Sequence, residues 1–257
     1  MSRPRPSPDL SGTPLADPAS LPALDPATLG PTLVVAPHAD DESLGCGGAI
    51  ARLVDLGLAV SVAFVSDGSK SHPGSRSYPS DRLRNLREVE ALAALEALGL
   101  DPGRARVAFF RLPDTAVPAD GTDGFAEAVA RASAFYRECR PQTLLLPWRR
   151  DPHCDHRSSR SIFLAASAGL MPSPRVLEYP LWAYEAADPA DLPRPDEVAA
   201  LRLDVAEVLP RKRLAIAAHR SQTTSLIDDD PGGFRLSPAV LAHFDTPWEI
   251  YLEPLSP

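Results

Sequence analysis

The chain has 257 residues, 44% hydrophobic and 23% charged, with a net charge of −8 and a sequence pI of about 5.3. This is enough apolar material for one large buried core, and the acidic balance argues against a general attraction to nucleic acid or anionic lipid. With no run of roughly 18 apolar residues and no basic-then-apolar leader, neither a membrane span nor a secretory signal is expected, which leaves the cytoplasm as the default location.

Residues 1–30 carry repeated prolines (Pro4, Pro6, Pro8, Pro14, Pro18, Pro22, Pro26) and little apolar periodicity, and read as a proline-rich N-terminal arm. From residue 31 to 257 the pattern is that of a single domain, whose portion from about 175 is open to being a smaller subdomain. Leu33 to Ala36 reads as a buried strand, Gly47 to Leu56 as a helix and Ala59 to Val65 as a second strand, which together make a right-handed βαβ unit. The polar segment Lys70 to Ser80 reads as a mobile loop. Ser80-Asp81 then opens a helix with Leu83, Leu86, Val89, Leu92, Leu95 and Leu98 at helical spacing, stopped by Gly99. A strand near Arg106 to Phe110, a helix from about Asp123 to Cys139 and a strand Thr143 to Pro147 follow. Beyond them the sequence predicts a helix Ser158 to Ala168 and a strand Val176 to Leu181. It continues with a strand Arg202 to Val205, a helix Val208 to His219, a helix near Pro238 to Phe244 and a strand Trp248 to Leu252. The alternation predicts an α/β, Rossmann-like, mostly parallel sheet with helices on both faces and an active site at the carboxyl ends of the strands. Cys46, Cys139 and Cys154, odd in number and without paired spacing, read as free thiols.

Two of those strand ends are rich in chemistry. Pro37-His38-Ala39-Asp40-Asp41-Glu42 follows the first strand, and Trp148 to Arg157, with His153 and His156 three apart, follows a later one. Loops at neighbouring strand ends can meet although 118 residues separate His38 from His156. Two imidazoles and one carboxylate make a three-ligand site with an open position, the arrangement of a catalytic rather than a structural zinc. Such an ion acidifies its water and polarises a carbonyl, and a second carboxylate that is not a ligand can take the proton; Asp40 is placed for that.

These motifs, with the late His219-Arg220-Ser221-Gln222, resemble the LmbE-like, or PIG-L, zinc de-N-acetylases, which remove acetate from N-acetylglucosamine units. The resemblance runs from about Thr32 to Gln222. It implies His38, Asp41 and His156 as metal ligands for Zn2+, Asp40 as general base, and His153 as the group that helps the tetrahedral intermediate form or collapse; Fe2+ is the alternative ion for such a ligand set. It implies as partner a small-molecule or glycan N-acetylated sugar conjugate. Ala39 and Cys154 stand where the family commonly has proline, and neither position supplies a ligand. Asp67, Arg76 and Arg82 are candidates to contact sugar hydroxyls or an attached anion.

Plainer readings stand beside these. An acidic run at a helix start also complements the helix dipole, and Glu42 reads as support for the turn. Gly45-Cys46-Gly47-Gly48 lacks the third glycine of a dinucleotide fingerprint, Ile50 standing in its place. His72 and His243 read as surface residues, and His219, Ser221 and Gln222 either pack the C-terminal portion or border the pocket. Two other functions are weighed. A ferrous oxygenase would need Asp40 rather than Asp41 on the metal. A phospho-accepting regulatory domain would need an aspartate ending the third strand and a lysine after a later one.

Overall fold

Strands form where apolar residues run without interruption, because both faces of the sheet are covered. The computed structural model describes residues 8–186 and 188–255. In chain order its main elements are β1 (Thr32–Ala36), α1 (Asp41–Asp55), β2 (Val60–Ser66), α2 (Ser80–Ala97), β3 (Arg106–Leu112), α3 (Phe125–Cys139) and β4 (Thr143–Pro147). They continue with α4 (Cys154–Ser167), β5 (Arg175–Tyr179), β6 (Val198–Asp204), α5 (Leu209–Ala218), α6 (Arg220–Thr223), α7 (Pro238–Phe244) and β7 (Trp248–Pro254). The seven strands lie in the order β3-β2-β1-β4-β5-β7-β6. β1 to β5 pair in parallel, and β7 alone runs against its neighbours β5 and β6.

Period-two alternation splits the core into two layers. Val34, Ala36, Val62, Phe64 and Leu145 point into one layer with residues of α1, α2 and α5. Leu33, Val35, Ala63, Val65, Leu144 and Leu146 point into the other, with residues of α3 and α4. The sheet therefore carries helices on both faces, as the sequence predicts. Part of the proline-rich arm lies outside the described residues; within 8–30, Leu24 N donates to Arg202 O (2.8 Å), and Leu15, Leu24 and Leu29 are buried. No helix among the described residues is long and apolar enough to cross a membrane.

The boundaries differ from expectation at two helix starts and at β6, which begins at Val198 rather than Arg202. α1 begins at Asp41 rather than Gly47, with Asp41 and Glu42 in its first turn, where acidic groups suit the positive end of the helix dipole. α4 begins at Cys154 rather than Ser158, because the His153 side chain accepts from Asp155 N and caps it. Asp41 and His156 thus sit in helical first turns, while His38 precedes α1 and His153 caps α4. His72 is not a surface residue: it is 2% exposed, covered by a close approach of Gly233, where a Cβ would come 2.1 Å from His72 Cδ2. His243 is partly exposed, as expected, beside Glu185.

Candidate metal centre and active site

β1 and β4 are neighbours, yet the chain reaches β2 from β1 by moving the other way along the sheet. The segments leaving the carboxyl ends of β1 and β4 therefore diverge and open a crevice between them, the usual ligand site of an open α/β sheet. His38, Asp40 and Asp41 leave β1 into it, and His153 and His156 leave β4.

Asp41 sits at the centre of the cluster. Its Oδ2 lies 3.3 Å from His38 Nδ1 and 3.2 Å from His156 Nε2 and accepts from His38 N at 2.8 Å. His153 stands beside both histidines, its ring centroid 4.7 Å from that of His38 and 5.2 Å from that of His156. One ring nitrogen from each of the three lies within 4.8 Å of the others. The opposite ring nitrogens are backed by carboxylates. His38 Nε2 is 3.1 Å from Asp155 Oδ2 and 3.4 Å from Asp114 Oδ1, and His156 Nδ1 is 3.3 Å from Asp151 Oδ2. Carboxylates behind ligating histidines fix ring orientation and raise basicity. Asp155 is itself anchored, accepting from Thr115 N (2.7 Å) and Val117 N (3.1 Å).

The fit to a divalent cation can be tested on His156. It is completely buried, and neither ring nitrogen makes a hydrogen bond of acceptable geometry. The nearby carboxylate oxygens bring charge without directional bonds, an arrangement that buried polar groups rarely keep unless a further ligand completes it. The electrostatics agree. Burial pulls His156 down, but Asp151 and Asp41 more than reverse this and hold it at about 9. Burial likewise opposes the charge on Asp41, and His156 and His38 overcome it, so its carboxyl stays far below the usual range. A pocket of carboxylates that attracts protons this strongly also suits a cation. Two imidazoles and one carboxylate fit zinc in a catalytic setting.

Asp40 is held apart from this cluster. Its Oδ2 is 3.3 Å from Arg87 Nη2, and that guanidinium also donates to Ala39 O (2.8 Å) and Gly68 O (3.1 Å). Burial pushes the Asp40 carboxyl up to about 6, against the opposing pull of Arg87. Its backbone is at φ 149° and ψ −27°, and Asp40 N donates to Glu42 Oε2 (3.0 Å). Glu42 is in turn bonded to His219 Nε2 (2.8 Å) and Ser43 Oγ (2.6 Å), so His219 braces the turn from behind. Asp41, not Asp40, lies beside both histidines, the opposite of the placement the oxygenase reading needs.

A cavity of about 170 Å3 opens on this cluster, lined among others by His38, Asp40, Asp41, Arg87, Asp114 and His153. Asp67, Arg76 and Arg82 do not line it. Asp67 caps a local turn by accepting from Ser69 N. Arg76 N donates to Asp229, and Arg82 bonds Ser77 O and lies over the Tyr78 ring. Gln222 does reach the cavity, whereas Ser221 is buried against Glu90. The sequence reading missed Arg87, Asp114, Asp151 and Asp155. Asp151 and Asp155 flank the histidine pair closely enough to have suggested backing carboxylates; Arg87, inside a long helix, carries no such signal.

Residues 33–167 match the sequence model of the PIG-L family, described as GlcNAc-PI de-N-acetylase. A probable N-acetyl-alpha-D-glucosaminyl L-malate deacetylase 2 of Bacillus cereus is 28% identical over 201 residues, covering 77% of this chain and 86% of that protein. A 4-oxalmesaconate hydratase of Pseudomonas putida is 27% identical over 202 residues, covering 74% of this chain and 73% of its own. The structure of N,N'-diacetylchitobiose deacetylase from Pyrococcus horikoshii superposes with a TM-score of 0.59 at 20% identity, over 81% of this chain and 74% of that one, a likeness of fold.

Proposed function

Since the chain belongs to the PIG-L family, we propose that it is a zinc-dependent hydrolase that removes the acetyl group from an N-acetylglucosamine-type conjugate. The observation that carries this reading is the division of labour between adjacent carboxylates: Asp41 touches both histidines, while Asp40 stands free of them. His38, Asp41 and His156 would hold the ion, and when bound it would acidify water and polarise the amide carbonyl. Asp40, buried and near neutral in its proton affinity, takes the proton of the attacking water. Arg87 fixes the Asp40 carboxylate. His153 Nδ1 accepts from Asp155 N, which assigns the ring proton to Nε2, and that N–H is free to donate to the oxyanion developing at the amide carbon. A donor of this kind contributes on the order of 3 kcal/mol. Asp40 then returns its proton to the departing amine, and acetate leaves. The free thiols Cys46, Cys139 and Cys154 suit the cytoplasmic location we assign.

The test is an acetate-release screen over N-acetylated sugar conjugates, with metal content measured on the same sample. Acetate release with about one zinc per chain is the expected result, and iron in its place would correct the ion. Asp40→Asn is expected to keep the metal and lose about 10²–10⁴ in rate, whereas His156→Ala loses metal and activity together. A metal-free Asp40→Asn protein would overturn the assignment of roles. Hydration of an unsaturated acid without acetate release would instead place the chain with its hydratase relative.

A further inference from the structure

Two aromatic side chains at the cavity, Trp182 and Phe234, have no part in the reaction derived above. Both line the cavity, their rings meet edge to face with centroids 6.0 Å apart at 80°, and Phe234 is 41% exposed. Each is held by its backbone. Trp182 N donates to Asp151 Oδ2 at 3.1 Å, the same oxygen that lies 3.3 Å from His156 Nδ1. The Trp182 backbone is therefore one carboxylate away from a candidate ligand. Phe234 N donates to Ser71 O (2.6 Å). The segment before it is clasped to the loop at 70–80: Asp229 accepts from Ser75 Oγ (2.7 Å), Ser77 N (2.8 Å) and Arg76 N (2.9 Å), and Asp230 from Gly74 N (2.8 Å). These backbone hydrogen bonds set the position of the aromatic pair relative to the histidines.

Size and charge narrow what it meets. The cavity of about 170 Å3 is smaller than the roughly 300–1,000 Å3 that houses a drug-sized ligand. It receives the acetamido end of a substrate, and whatever is attached to the sugar extends beyond it. Of the two cations that line it, Arg87 is spent on Ala39 O, Gly68 O and Asp40, which leaves exposed Lys70 among the carboxylates of Asp40, Asp41 and Asp114. Lys70 is the group there that an anionic attachment would use, whereas the exposed Phe234 ring, with the Trp182 ring beside it, suits an apolar one. We propose that Trp182 and Phe234 form a platform for the group attached to the sugar, and that this group is apolar, aryl or alkyl. The substrate class so named rests on the deacetylase reading above.

Steady-state kinetics on N-acetylglucosamine glycosides with methyl, phenyl, octyl and carboxymethyl attachments test it. The phenyl and octyl compounds are expected to show KM values about tenfold below the methyl compound, and Phe234→Ala to raise KM for those two about tenfold more than for methyl, with kcat following less. Asp229→Ala, which unclasps the segment bearing Phe234, should shift KM in the same direction. Equal KM values across the series, or preference for the carboxymethyl glycoside abolished by Lys70→Gln, would overturn the platform. If no glycoside is deacetylated by metal-loaded protein, the deacetylase reading falls, and tryptophan fluorescence titration of the Asp40→Asn protein still decides the platform. Tighter binding of phenyl than of methyl glycoside supports it, and equal binding overturns it.

Discussion

Asp40 occupies a backbone region, φ 149°, that side-chain-bearing residues rarely adopt and that costs of order 1–3 kcal/mol. The corner is held there by Glu42 on its N–H and by Arg87 on the preceding carbonyl, which separates the Asp40 carboxylate from that of Asp41. Behind the candidate ligands, Asp151 combines three tasks, accepting from His153 N and Trp182 N while facing His156 Nδ1. Asp151→Asn keeps its shape and removes its charge. Metal affinity should fall about 10–100-fold, measured by competition with a chelator, while the unfolding midpoint of the metal-free protein moves little by comparison. At this scale the sequence was informative where residues cluster. His38, Asp40, Asp41, His153 and His156 declared themselves as two motifs, but Asp114 and Arg87 reach the cavity singly from distant segments, and nothing in their neighbours marks them.

Among the elements, α1 accounts for the glycine run that resembled a dinucleotide loop. Gly45 and Gly48 lie inside the helix and admit close neighbours: a Cβ at Gly45 would come 2.4 Å from the Tyr179 ring, and one at Gly48 would come 2.3 Å from Val205 Cγ1. Tyr179 is fixed by its hydroxyl, which donates to Val35 O, so it has little room to give way. Gly45→Ala gains about 1 kcal/mol of helix propensity but overpacks by about 1–3 kcal/mol. Urea unfolding should show net destabilisation with an unchanged m-value. The loop at 70–80, expected to be mobile, is instead clasped by Asp229, a contact to a segment some 150 residues away that periodicity has no means to reveal. Hydrogen bonds from Ser75, Ser77 and Arg76 hold the Asp229 carboxyl below its ordinary value. A depressed carboxylate stabilises above its unfolded pKa of about 4 and loses that contribution as pH falls toward the folded value. Amide exchange in residues 70–80 should therefore be protected at neutral pH and lose protection in acid below about pH 4, whereas Asp229→Asn should lose it at neutral pH.

Across the whole molecule, parallel strands and two helical layers were legible because their apolar runs are long. The antiparallel insertion of β7 between β5 and β6 was not, since the order of strands is decided by tertiary packing. A buried ion pair ties that region together. Lys212 Nζ on α5 bonds Glu249 Oε1 on β7 (2.7 Å), and Glu249 also accepts from Gly48 N and Ala49 N of α1 and from the Tyr251 hydroxyl. Lys212→Met leaves Glu249 charged and without its cation, and should cost about 3–5 kcal/mol. A double-mutant cycle with Glu249→Gln, followed by denaturant unfolding, should recover part of that loss.

The crevice between β1 and β4 has a consequence for how the centre is assembled. His38 and Asp41 leave the ribosome well before His156, 118 residues later, a delay of roughly 6–24 s at about 5–20 residues per second. Throughout that interval the nascent chain presents half a binding site, and β4 has yet to dock beside β1 and bring the other half. With the proposed ligand set, high-affinity metal capture becomes a late event in biosynthesis, one that follows pairing of the central strands.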